Sequence, residues 1–153
     1  MSKFLLSLVF LFMTSVLFSQ NLQFIDGKAY KNNQVFNGEE VIKFEKSNQI
    51  KEIKHYQAGL EDGKTLVYHS NGKLKAEHYW KAGLKDGIWV NWDEEGNLIA
   101  KAGYQADKKH GQWSIWSSKG QLLYEMHYNN GNKIGLWRQW NEDGKLLNEK
   151  QFD

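Results

Sequence analysis

A 24-residue period runs through residues 56–152 of this 153-residue chain and constrains its fold more than any other feature, because a sequence that repeats must repeat its structure. Gly63, Gly87, Gly111 and Gly135 are evenly spaced, as are Gly72, Gly96, Gly120 and Gly144, and Leu74, Leu98, Leu122 and Leu146. Numbering a unit from Tyr56, position 1 is always aromatic: Tyr56, Trp80, Tyr104, Tyr128 and Phe152. Position 10 is Thr65, Trp89, Trp113 and Trp137, and position 13 is Tyr68, Trp92, Trp116 and Trp140. All 7 tryptophans fall at positions 1, 10 or 13, so the aromatic content belongs to the unit. Repeats are expected at 56–79, 80–103, 104–127 and 128–153, the last with a C-terminal end strand. A degenerate repeat at 32–55 has Val41, Phe44, Asn48 and Ile50 one period upstream of Thr65, Tyr68, Gly72 and Leu74.

The frequent glycines leave no room for a 10–12-residue helix, which favours strands. His69-Ser-Asn-Gly72, Asp93-Glu-Glu-Gly96, Ser117-Ser-Lys-Gly120 and Asn141-Glu-Asp-Gly144 suit a type I turn closed by a left-handed glycine, the three-residue hairpin with a G1 bulge at that glycine. Each unit is then one β-hairpin. Regular pairing outward from that turn sets position 13 opposite 19, 12 opposite 20 and 10 opposite 22. Side chains alternate between faces, so positions 11, 13, 19, 21, 23 and 1 are expected to share a core face. Its repeat core would be Tyr68, Trp92, Trp116 and Trp140 against Leu74, Leu98, Leu122 and Leu146. Trp89, Trp113 and Trp137 would line the other face, opposite Lys101, Glu125 and Glu149 and beside Ile99, Leu123 and Leu147. Single hairpins are marginal in water, so the units should join edge to edge into about ten antiparallel strands, some 45 Å of sheet at ~4.8 Å per strand. Twist curves so long a sheet. The expected class is all-β: an elongated, curved single layer of stacked hairpins. Asp26-Gly27 predicts a capping strand or hairpin within 20–31.

Met1 to Gln20 holds one positive charge at Lys3 and an apolar run from Phe4 to Phe18. That run is too short for a ~30 Å hydrocarbon core and has the layout of a secretory signal peptide at 1–19, cut after Ser19. The mature chain is expected to be exported, to the periplasm or the medium, without integral membrane insertion. It has no cysteine, which excludes disulfides, thiolate metal sites and cysteine nucleophiles. Twenty Lys and Arg balance 18 Asp and Glu, so no basic field points to nucleic acid.

The unit from Tyr104 through Gly111-Gln-Trp113-Ser-Ile-Trp116, Gly120-Gln-Leu122 and Glu125 to Tyr128 resembles the bacterial variant of the MORN repeat. The resemblance is strong over 56–152 and weaker over 32–55. Thr65 and Tyr68 stand where later units carry tryptophan, Asp107 replaces a glycine and Lys101 a glutamate. It implies a ladder of hairpins serving as a binding or scaffold surface, and the label antitoxin-like, of the YwqK type, that many bacterial members carry. The membrane and phospholipid-kinase association of eukaryotic MORN proteins does not carry over, because a lipid surface reads polybasic clusters and none is present.

Catalysis needs a convergent set of groups. His55, His69, His78, His110 and His127 make no metal-ligand spacing. Ser70, Ser117 and Ser118 fall in turns, and the position-22 glutamates form a row rather than an acid/base pair. No enzyme, cofactor or metal is expected. The candidate binding feature is the row Trp89, Trp113 and Trp137, which suits an apolar protein partner or a glycan; its structural alternative is a second small core under each hairpin. The partner class expected is another protein.

Overall fold

The computed structural model describes residues 22–153 and is all-β; the expected leader lies outside the described residues. The strands are β1 (Gln23–Ile25), β2 (Lys28–Lys31), β3 (Gln34–Val35), β4 (Gly38–Lys43), β5 (Ile50–Gln57), β6 (Leu60–Glu61), β7 (Gly63–Tyr68) and β8 (Leu74–Lys81). They continue as β9 (Leu84–Lys85), β10 (Gly87–Trp92), β11 (Leu98–Gln105), β12 (Lys108–Lys109), β13 (Gly111–Trp116), β14 (Leu122–Asn129), β15 (Asn132–Trp140) and β16 (Leu146–Phe152). One antiparallel sheet runs β16-β15-β14-β13-β11-β10-β8-β7-β5-β4, with β6, β9 and β12 as stubs on β5, β8 and β11. Strands β1, β2 and β3 form a separate three-stranded sheet.

Four of the long hairpins turn at a left-handed glycine: Gly72 (φ 83°), Gly96 (92°), Gly120 (82°) and Gly144 (78°); the β4–β5 hairpin turns through 44–49, which has none. Gly120 N–H donates to the Ser117 carbonyl and Ser117 N–H to the Gln121 carbonyl, 2.9 and 2.8 Å, the two bonds of a three-residue loop. A Cβ on Gly120 would meet nothing within 4 Å, so the glycine answers to backbone torsion rather than space. Gly120→Ala should therefore cost only about 1 kcal/mol, read as a shift of the urea midpoint at unchanged slope.

Short hairpins link the long ones through turns in which both residues are left-handed: Ala58-Gly59, Ala82-Gly83, Ala106-Asp107 and Asn130-Gly131. That is the type I′ geometry which matches strand twist. Asp26-Gly27 and Asn32-Asn33 turn the small sheet in the same way. Consecutive short turns are tied together: Gly83 N–H bonds the Glu61 carbonyl, Asp107 N–H that of Lys85 and Gly131 N–H that of Lys109, at 2.8–2.9 Å. Asp62 and Asp86 carboxylates accept from Ala82 and Ala106 N–H one repeat on.

The expected register is corrected one step from each turn. Trp92 faces Leu98, Trp116 faces Leu122 and Trp140 faces Leu146, but Asn91 then pairs with Ala100, Ile115 with Tyr124 and Gln139 with Asn148. Position 20 (Lys75, Ile99, Leu123, Leu147) is an extra residue, a β-bulge. Beyond it Trp89, Trp113 and Trp137 lie opposite Ala102, Met126 and Lys150, not Lys101, Glu125 and Glu149. A one-residue slip moves every side chain beyond it to the other face. The position-1 aromatics thus leave the face of Trp92, Trp116 and Trp140 and join that of Trp89, Trp113 and Trp137.

The expected core is corrected too. Among the described residues no second sheet seals the layer, and the buried apolar residues are Ala29, Tyr56, Ala76 and Tyr128. Tyr68, Trp92, Trp116, Trp140, Leu74, Leu98 and Leu122 are half-buried, and Leu146 is exposed.

Candidate functional site

The bulge creates a ladder of rings along one face. Trp80, Trp89, Tyr104, Trp113, Tyr128, Trp137 and Phe152 follow one another with centroids 4.9–5.4 Å apart and planes inclined by 54–62°. This tilted and edge-to-face packing is what the ring quadrupole prefers, worth ~0.5–1.5 kcal/mol a pair beyond area burial. Each position-10 indole is also anchored through nitrogen. Trp89 Nε1 donates to the Tyr79 carbonyl, Trp113 Nε1 to that of Gly103 and Trp137 Nε1 to that of His127, at 2.9–3.1 Å.

Lysine completes the pattern. Position 6 lies directly opposite position 1 in the short hairpins, as Trp80 with Lys85, Tyr104 with Lys109 and Tyr128 with Lys133. Lys85 Nζ sits 4.7 and 5.2 Å from the Trp89 and Tyr104 centroids, Lys109 4.3 and 4.9 Å from Trp113 and Tyr128, and Lys133 4.6 and 5.3 Å from Trp137 and Phe152. Such cation–π contacts are worth ~0.5–1 kcal/mol at exposed sites. None of these three ammoniums pairs with a carboxylate among the described residues.

Trp89, Trp113 and Trp137 are therefore brought together as expected in a row, but their setting differs. They pack on position-1 rings and lysines rather than on Leu123 and Leu147. With neighbours against the rings and nitrogen bonded, little flat indole surface is left for a sugar to stack on. The lysine contribution was missed because lysine recurs at position 6 only in units two to four.

His78 ends the ladder by stacking on Trp89, centroids 3.9 Å apart and planes 16° apart. Burial holds its imidazole below the usual histidine value, against the Asn91 hydrogen bond and with Lys85 adding to the shift. The unfolded chain then takes up the proton more readily, so this contribution is complete above about pH 6.5 and fades as pH falls below it. The melting temperature should drop between pH 7.5 and 5.5, and His78→Phe, which keeps the stacked ring, should flatten that dependence.

The opposite face carries charge pairs of its own. Glu77 meets Lys64 at 3.2 Å, and Arg138 meets Glu149 at 2.8 Å and Glu125 at 3.8 Å. The position-22 glutamates thus pair with cations on the facing strand, away from the indoles. A hollow of about 490 Å³ there is lined by His69, Trp92, Asp93 and Ile99 among others. Among the described residues no group of three or more His, Cys, Asp or Glu is placed to hold a metal ion, and no helix is long and apolar enough to cross a membrane.

Hairpins joined edge to edge, each adding the same rings and the same lysine to one face, define an all-β repeat protein of the kind that presents a surface. The MORN repeat variant model matches residues 61–82, 85–106, 109–130 and 133–153. These matches cover more than half of the chain, which belongs to that family. Each begins at position 6, so a unit of the family spans the short hairpin's return strand and the long hairpin. Repeats of this family are generally non-catalytic, and no catalytic domain is identified. No curated protein matches the chain.

Proposed function

We propose that this chain is an exported, non-catalytic interaction scaffold that docks another protein along the end of its ladder. The observation that carries the reading is strand β16. Among the described strands it pairs only with β15, and it is exposed nearly throughout, with Leu146 and Leu147 46% and 56% accessible. An open edge with apolar side chains is a template for strand addition by an extended segment of a partner. The antitoxin-like reading fits within this class where the neutralised protein is itself exported.

Crosslinking pull-downs from the periplasm or medium with the wild-type chain and with Leu147→Asp should recover a partner that the variant loses. Recovery of the same proteins by both baits would contradict docking at this edge. Fusion of residues 1–25 to a reporter tests export: an exported, processed reporter is expected, and cytoplasmic retention would move the scaffold to another compartment. Glycan binding through the tryptophan row has less support, since neighbouring rings and lysines already occupy the indoles.

A further inference from the structure

One repeat departs from the ladder in two places at once. Where later units carry tryptophan at position 10 and lysine at position 6, the first full unit carries Thr65 and Glu61. Tyr104, Tyr128 and Phe152 each hold the ammonium of the lysine that opens the preceding long hairpin. By the same period Trp80 should hold that of residue 61, which is a carboxylate. Trp80 is thus the position-1 ring after Tyr56 that receives no ammonium among the described residues.

A cavity of about 150 Å³ lies at this place, lined by Phe24, Tyr56, Leu60, Glu61 and Trp80 with three turn glycines. Three of its walls are aromatic and one is a carboxylate. Around it Glu61 and Glu52 share a single cation, Lys54, at 3.0 and 3.6 Å, and Glu40 accepts from the Tyr56 hydroxyl at 3.1 Å. Three carboxylates against one ammonium leave this end of the face acidic. Burial, reinforced by the Glu40 and Glu61 carboxylates, pushes the Tyr56 phenol well up.

We propose that this cavity binds an alkylammonium group, which takes the place that lysine occupies in the later repeats. Rings supply the cation–π platform and Glu61 the counter-charge, the combination by which aromatic cages take ammonium ligands. The site is independent of docking at β16. The group could belong to a free quaternary amine or to a lysine side chain of another protein, and two probes separate these sources.

Tetramethylammonium chloride and Nα-acetyl-lysine amide are titrated into the 15N-labelled chain at ionic strength held constant with sodium chloride. Saturable shifts are expected at the Gly59 and Gly83 amides and the Trp80 indole, with the far repeats unmoved. Saturation by the first probe alone assigns a quaternary amine, and by the second a lysine side chain. Glu61→Gln should weaken binding about tenfold. Phe24→Ala, at a wall residue 62% exposed and outside the main sheet, should weaken it several-fold and serves if the first variant is unstable. No saturable shift with either probe, or equal binding by wild type and both variants, would overturn the proposal.

Discussion

Trp113→Ala should remove about 3 kcal/mol of stability, near the low end for loss of a tryptophan from a packed site because this ring is half-buried. Three things go at once: the contacts to Tyr104 and Tyr128 at 5.1 and 5.4 Å, the platform under Lys109 and the nitrogen bond to the Gly103 carbonyl. Units of a ladder touch only their neighbours, so a weakened middle unit should also broaden urea unfolding or divide it in two. Trp113→Phe keeps a ring and loses the hydrogen bond, and should cost about 1 kcal/mol. A loss below about 1 kcal/mol for the alanine variant would mean that the row is a surface feature kept for binding.

Gly103→Ala should be comparably damaging for a different reason. A Cβ built there would lie against the His110 carbonyl oxygen, far inside van der Waals contact. Both groups are backbone, so no rotamer change relieves the overlap. The Gly103 carbonyl also accepts from His110 N–H and from Trp113 Nε1, both at 2.9 Å, and any shift of the strand disturbs both bonds. The expected cost is about 3 kcal/mol, against about 1 kcal/mol at the turn glycine Gly120. The same position holds Tyr79 and His127 in neighbouring units, so the demand is local to one repeat. A neutral Gly103→Ala would contradict the packing of Gly103 against His110.

The all-β class, the ten-strand ladder and the turns at Gly72, Gly96, Gly120 and Gly144 were legible because a period and a turn each leave a residue signature. Gly96 and Gly120 show why: φ near 90° is open to glycine and strained for other residues. The bulge left no such mark. Position 20 is Lys75, Ile99, Leu123 and Leu147, and any of these fits an extra residue between two ladder bonds. One unmarked residue then moved Tyr104 and Tyr128 to the tryptophan face. The short hairpins could have been found, since Ala-Gly and Asn-Gly recur at positions 3 and 4 and suit type I′ turns. Position 6 was readable only by asking which residue changes when tryptophan does, as Glu61 changes with Thr65.

The face shared by position-10 tryptophans and position-1 aromatics underlies both the stability argument and the ammonium site. Nuclear Overhauser contacts from the Trp113 indole test it most directly. They should run to the Tyr104 and Tyr128 rings and the Lys109 side chain. Contacts to Glu125 and Leu123 in their place would mean regular pairing without the bulge and would contradict the account.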